Sequence, residues 1–126
     1  MEKVVIENNF WKNKKVFITG NTGFKGSWLT TWLLKLDAKV TGISRDIPTN
    51  PSMFETLELS NRIKHLVVDI RDLDKIREII HEEKPDFIFH LAAQAIVSTS
   101  YTDPVDTFSS NVIGTMNILE ALRSID

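Results

Sequence analysis

The chain has 126 residues, 42% of them hydrophobic and 25% charged, with a formal net charge of −2. That is enough for one globular domain with a real core, and the charge excludes a general affinity for nucleic acid or anionic membrane. The absence of cysteine excludes disulfides, Cys-ligated zinc and thiol catalysis. The sequence has no apolar run near the ~18 residues of a membrane span, and Met1–Glu7 is too short and too acidic for a signal peptide, so cytoplasm is the expected compartment.

Residues 1–14 form a polar lead-in whose Phe10 and Trp11 are expected to pack as an arm across the bottom of a sheet. Val16, Phe17 and Ile18 define a first strand at 15–19, which runs straight into Gly20, Gly23 and Gly26. The spacing is Gly-x-x-Gly-x-x-Gly, not the commoner Gly-x-Gly-x-x-Gly, and an ordinary strand-to-helix turn is the bland alternative. Strand, glycine turn and helix start together suit a pyrophosphate. Glycine allows close backbone approach, and the helix N-terminus offers free N–H groups and partial positive charge. Gly20, Asn21, Thr22, Gly23, Phe24, Lys25 and Gly26 are therefore candidate cofactor-binding residues.

A helix is predicted over about 26–36, burying Leu29, Trp32, Leu33 and Leu36 on one face. Trp28 and Trp32, one turn apart, are expected to serve core packing and not base stacking. A second strand covers 39–44, a Pro- and Asn-containing loop 45–52, and a short helix 53–59. The third strand, 64–69, reads as an apolar run of the kind parallel sheets bury on both faces. Asp72 caps a helix carrying Leu73, Ile76, Ile79 and Ile80, which ends near Lys84 because Pro85 follows. A fourth strand, 86–92, is followed by a loop to Asp103-Pro104. A long helix then spans about 105–123, with Phe108, Val112, Met116, Leu119 and Leu122 as its apolar stripe.

Strands alternating with helices imply an α/β fold, a doubly wound parallel sheet of order 3-2-1-4 with right-handed crossovers. A further strand is expected beyond the last helix, so the domain reads as truncated. That leaves residues 86–91 as an exposed edge open to self-association or to a partner chain.

Ligands of such sheets bind outside the carboxyl ends of the strands, which adds Ser44, Arg45, Asp46, Asp69, Ile70, Ala92, Ala93 and Gln94 to the candidates. An acid after the second strand accepts from a ribose 2′-OH and an arginine there favours a 2′-phosphate. Arg45 and Asp46 supply both, and either also fits as a solvated loop charge. The Asp69 carboxylate suits an adenine amino group better than it suits capping the next helix. Ala92 and Ala93 let a flat ligand approach the backbone, though tight packing predicts the same residues. His65 and His81 read as surface or flanking residues and His90 as a satisfied histidine within its strand. None has a second ligand at i+3 or i+4, so no metal site is expected. Lys12, Lys14 and Lys15 read as a solvated face.

With these pieces placed, the chain resembles the extended short-chain dehydrogenase/reductase family. Thr19-Gly-Asn-Thr-Gly-Phe-Lys-Gly26 matches its Thr-Gly-x-x-Gly-Phe-x-Gly motif. Asp69-Ile-Arg-Asp72, His90-Leu-Ala-Ala-Gln94, Asn111-Val-Ile-Gly-Thr115 and Leu119-Glu-Ala121 match later landmarks. Within the family, Gly23-Phe-Lys-Gly-Ser-Trp-Leu29, Pro48-Thr49, Phe54-Glu55 and Phe89-His-Leu-Ala-Ala-Gln94 are most similar to the CDP-glucose 4,6-dehydratases. Two positions depart from that pattern, Asn21 where those enzymes usually carry His, and Arg45.

The resemblance implies a Rossmann-type domain binding NAD, with NADP admitted by Arg45. It implies a lyase reaction on a nucleotide sugar: hydride removal at C4, loss of water across C5–C6, and hydride return at C6. Gly20, Gly23 and Gly26 would hold the pyrophosphate, Asp69 and Ile70 would face the adenine, and Ala92, Ala93 and Gln94 would line the ribose and nicotinamide side. Asn111 would steady the active site. The family's chemistry also uses a Tyr-x-x-x-Lys pair. Here the one tyrosine, Tyr101, is followed four residues on by Val105, so it is expected to be a loop residue near the cofactor. Residues 1–126 therefore read as an incomplete NAD(P)-binding domain, without the sugar-nucleotide domain and without turnover of its own. The alternatives are a non-catalytic dinucleotide-binding or partner-completing module, and a fragment of a related sugar-nucleotide epimerase or reductase.

Overall fold

The computed structural model describes residues 9–125. The first eight residues of the predicted N-terminal arm lie outside that range. A 3₁₀ turn, Asn9–Trp11, is followed by β1 (Lys15–Thr19), α1 (Phe24–Lys35), β2 (Lys39–Ser44), α2 (Met53–Thr56), a second 3₁₀ turn (Leu59–Asn61) and β3 (Lys64–Val67). Then come α3 (Leu73–Glu83), β4 (Phe87–His90), α4 (Val97–Thr102), α5 (Pro104–Phe108), a π turn (Ser109–Ile113) and α6 (Gly114–Arg123). The four strands form one parallel sheet in the order β3-β2-β1-β4, as the alternation of strands and helices predicts. This is the doubly wound, Rossmann-like arrangement.

The period-2 alternation of β1 distributes the core. Val16 and Ile18 face α1 with Leu33, Ala38 and Val40, and Phe87 and Phe89 of β4 lie partly buried against them. Phe17 faces the other way, into a cluster with Ile43, Val68, Ile70, Ile76, Ile79, Ile80, Ile118 and Ala121. The arm meets the first cluster, with the Trp11 ring 5.0 Å from Phe87 and 6.2 Å from Phe89. Asp72 caps α3 by accepting from the Lys75 N–H at 3.0 Å, and Lys84, in the left-handed region at φ 46°, closes the helix before Pro85.

Several expectations are corrected. The inner face of α1 is Gly26, Ser27, Thr30 and Leu33, while Trp28 and Trp32 are 57% and 66% exposed, so neither indole is core. The glycine turn draws the start of the helix close to the sheet, so its first inward positions are small, and Leu33 is the large residue that follows them inward. The third strand stops at Val67 and is an edge of the sheet, and it is not buried on both faces, since Val67 is exposed. The predicted loop after β4 contains α4, and Tyr101 is an exposed residue of that helix, not of a loop.

The long helix forms as α5, a π turn and α6, but its predicted apolar stripe points outward. Phe108, Val112, Met116, Leu119 and Leu122 are all exposed, and the buried side is Ser110, Gly114, Asn117, Ile118 and Ala121. The small residues admit close docking. A Cβ on Gly114 would collide with the Ile70 side chain, and Asn117 Nδ2 donates to the Ile70 carbonyl at 3.0 Å.

Candidate functional site

At the carboxyl ends of the strands lies a cleft of about 650 Å³, counting the solvent space at its mouth. Gly20, Thr22 and Gly23 line it from the turn, Ser44, Arg45 and Asp46 from the end of β2, Asp69 and Ile70 from beyond β3, and Ala92, Ala93 and Gln94 from beyond β4. These are the residues the strand ends predict. Pro48, Val68, Leu91 and Ser110 also line it and carry no motif of their own. Asn21, Phe24, Lys25 and Gly26 of the predicted set lie outside that lining, and so does Tyr101.

The turn is built by glycines with different duties. Gly20 has φ +74°, and a Cβ there would come within 2.7 Å of the Ala92 amide nitrogen. A Cβ on Gly26 would collide with the Gly20 carbonyl oxygen, which lets α1 start directly behind the turn. Gly23 differs. Its φ is −72°, and a Cβ would meet only the Gly20 oxygen at 3.5 Å, with open space beyond. Gly23 is also the N-cap of α1 and no side chain caps the helix, so the N–H groups of Phe24, Lys25 and Gly26 have no intrahelical acceptor. Bare backbone donors at a helix start, with room left by a missing side chain, fit the pyrophosphate of a dinucleotide.

Hydroxyls fix this turn to its neighbours. Ser27 Oγ donates to the Asn21 carbonyl at 3.1 Å, and Thr22 Oγ1 donates to the Asp46 carbonyl at 2.6 Å. The Asn21 side chain is fully buried. It passes beneath Gly42 to His65, Nδ2 lying 3.1 Å from His65 Nδ1, and its Oδ1 has no hydrogen-bond donor. His65 is half-buried against Phe54, with ring centroids 4.9 Å apart, and is thus neither a surface nor a mere flanking residue. Desolvation holds its pKa below the ordinary imidazole value, which keeps Nδ1 free to accept.

A second network closes the β1–β4 side. The Thr19 hydroxyl accepts from the Leu91 and Ala92 N–H groups at 3.1 Å each, and its own hydrogen points to His90 Nδ1 at 2.7 Å. His90 Nε2 then donates to Thr115 Oγ1 at 2.9 Å, which donates to the Asn111 carbonyl at 2.7 Å. His90 is the satisfied histidine expected of it, and burial lowers its pKa. Asn111 pairs reciprocally with the Gln94 backbone, accepting from its N–H at 2.8 Å and donating to its carbonyl at 3.0 Å. The residue expected to steady the site is thus attached to the loop that lines it.

The remaining rim is ionic. Arg71 grips the Asp69 carboxylate through Nε at 3.0 Å and Nη2 at 2.6 Å, and its backbone N–H adds a bond at 2.9 Å. Those hydrogen bonds, more than any other influence, hold Asp69 below the usual carboxylate range. Asp69 therefore reaches the cleft already paired, and Asp72, not Asp69, caps α3. Arg71 also reaches Asp106 at 3.1 Å and Ser109 at 3.2 Å on the helical run opposite. Sequence reasoning missed Arg71, Asp106 and the Thr19–His90 link, because contacts between residues 35 and 71 positions apart leave no local pattern. Among the described residues, no group of three or more His, Asp and Glu side chains converges as a metal site would require, and no helix is long and apolar enough to cross a membrane.

Comparison with known proteins agrees with this fold. The chain is 47% identical over 121 residues to the CDP-glucose 4,6-dehydratase of Salmonella typhimurium, a match covering 96% of the chain and 34% of that protein. It is 35% identical to a GDP-mannose 4,6-dehydratase of Vibrio cholerae, covering 88% of the chain and 32% of the relative. Among solved structures, the UDP-glucose 4-epimerase of Thermus thermophilus, in complex with NAD, superposes with a TM-score of 0.76 at 31% identity, covering 86% of this chain and 33% of that one. The UDP-Glc/GlcNAc 4-epimerase of Campylobacter jejuni gives 0.77 at 25%, covering 88% and 34%. The chain thus spans about a third of the length of the curated relatives it matches. A family model described as GDP-mannose 4,6 dehydratase matches residues 17–126, and the chain belongs to that family.

Proposed function

We propose that this chain is the NAD-binding region of a sugar-nucleotide 4,6-dehydratase, most similar to those acting on CDP-glucose, and that the sugar-nucleotide domain and the Tyr-x-x-x-Lys pair lie outside residues 1–126. The observation that carries the reading is Gly23. It leaves open space in front of the uncapped start of α1, where the pyrophosphate belongs. The 47% identity to a CDP-glucose 4,6-dehydratase and the likeness to an NAD complex of an epimerase support the cofactor and the substrate class.

In this reading Gly20, Gly23 and Gly26, with the N–H groups of Phe24 and Lys25, hold the pyrophosphate. Asn21 contributes backbone only. Ser44, Arg45 and Asp46 flank the adenosine ribose, Asp69 and Ile70 border the adenine, and Ala92, Ala93 and Gln94 run along the nicotinamide side. The nicotinamide, when bound, supplies reversible acceptance of a hydride. This chain's residues bind and orient it, and Asn111 keeps the Gln94 loop in place. Turnover awaits the missing pair, and the cytoplasm is where such a protein works.

Among the described residues, β4 pairs with β1 on one side only. Its other edge supports completion of the sheet by a further strand, from the rest of a longer polypeptide or from a second copy of the chain. Titrating the purified chain with NAD and NADP in a calorimeter tests the cofactor reading. Saturable heat with NAD is expected, and no heat with either dinucleotide overturns it.

A further inference from the structure

Arg45 lines the cleft, Arg71 stands beyond that lining, and one carboxylate oxygen holds both guanidinium groups. Arg45, directly after β2, sends Nη1 to Asp106 Oδ1 at 3.2 Å and lies with Nε 3.4 Å from Asp46 Oδ2. Arg71, beyond β3, donates to the same Asp106 oxygen at 3.1 Å while its remaining nitrogens are engaged by Asp69. Asp106 belongs to α5, and its backbone N–H is fixed by Asp103, the N-cap of that helix, at 3.0 Å. Of Arg45's two partners, Asp106 is the better shielded, its side chain 22% exposed against 62% for Asp46. Its attraction is therefore less screened by solvent and salt.

An arginine at the end of the second strand is the usual receptor for a ribose 2′-phosphate. Here that receptor is occupied. Both the Nε and Nη1 positions of Arg45 already face carboxylates, so a phosphate has to displace them or sit beside them. The two arginines and the three aspartates of the cluster, Asp46, Asp69 and Asp106, leave the rim with one net negative charge, which repels an added dianion. A bare 2′-OH carries no such charge and can donate to Asp46.

We infer that Asp106 is a specificity-determining residue: by engaging Arg45 from across the cleft, it reserves the site for the dinucleotide without a 2′-phosphate. It does so as a positioning residue, acting through Arg45. The inference rests on the dinucleotide reading above, and it adds to that reading a residue that lies outside the lining of the cleft.

The test is a double-mutant cycle read as affinity for NAD and NADP by calorimetry, on the wild-type chain, D106N, D106E, R45Q and R45Q/D106N. D106N is expected to raise the affinity for NADP relative to NAD by roughly fivefold, the size expected for releasing one partly exposed charge. D106E, which keeps the charge, is expected to keep the wild-type ratio, and R45Q/D106N to lose the gain. R45Q alone is expected to weaken NADP by less than twofold, because Arg45 is already spoken for. If D106N leaves the ratio unchanged while NAD still binds, the inference fails and the dinucleotide reading stands. If R45Q alone weakens NADP fivefold or more, the inference also fails, and that result does not depend on D106N folding. If no variant binds either dinucleotide, both fall together.

Discussion

Gly23 and Gly26 stand one turn apart, and replacing each by alanine asks a different question. At Gly26 the new methyl would strike the Gly20 carbonyl, a backbone atom that cannot step aside. G26A is expected to cost about 2–4 kcal/mol of stability and to lose NAD binding with it. At Gly23 the backbone already has an alanine-compatible φ, and the methyl enters the space in front of the helix start. G23A is expected to change stability by no more than about 0.5 kcal/mol while weakening NAD at least roughly tenfold. Thermal melting and calorimetry on the same preparations separate the two outcomes. A G23A variant that binds NAD like the wild type would remove the pyrophosphate from this turn. The spacing of the glycines was legible in the sequence because a strand and a helix bracket it. The direction of the Asn21 side chain was not, since a polar residue inside a glycine turn looks the same whether it faces a ligand or the strand beneath.

Helical runs show how periodicity can find an element and misplace its face. The positions 108, 112, 116, 119 and 122 form a true stripe, and it is exposed, whereas the mostly smaller side chains at 110, 114, 117, 118 and 121 are buried. Hydrophobic spacing reports that a helix is amphipathic. Which face docks is decided by how closely the partner must come, here Ile70 pressed against Gly114. I118A is accordingly expected to cost about 2–4 kcal/mol in urea unfolding, and the neighbouring L119Q to stay within about 0.5 kcal/mol. Equal costs would return Leu119 to the core. Trp28 and Trp32 repeat the lesson on α1. α4 escaped notice for another reason, because Val97-Ser-Thr-Ser-Tyr-Thr102 is made of weak helix formers and polar side chains that compete for the backbone.

At the scale of the whole molecule, sheet order and strand direction were readable because alternating strands and helices leave few topologies with right-handed crossovers. The side-chain links that join the strand ends were not, and the two that run through histidine give the fold a pH dependence. His65 and His90 both have pKa values lowered mainly by burial. The unfolded chain therefore binds more protons than the native one as pH falls below about 6.5, and stability rises with pH across that window. Their contribution is complete above the ordinary imidazole pKa and is lost as pH drops through the depressed native values. The denaturation midpoint is expected to be lower at pH 5.5 than at pH 7.5, with H90Q flattening the difference. Asp69 and Glu83, held below the ordinary carboxylate value by Arg71 and Lys64, lose their share only at more acid pH, which keeps the two effects apart. A midpoint flat from 7.5 to 5.5 would mean that both imidazoles charge freely in the fold.

Gly42 lies between Ile18 and His65 in the sheet, and the Asn21 amide fills the place a Cβ at 42 would take, with its Cγ and Nδ2 only 2.5 Å from that point. Positions 21 and 42 are thus one slot entered from one side. A bulkier residue in the strand evicts the reach from the turn, and a shorter residue in the turn leaves the strand a hollow. The choice at 21 is bound to its tenant next door, and what residue 21 offers a ligand is left to its backbone alone.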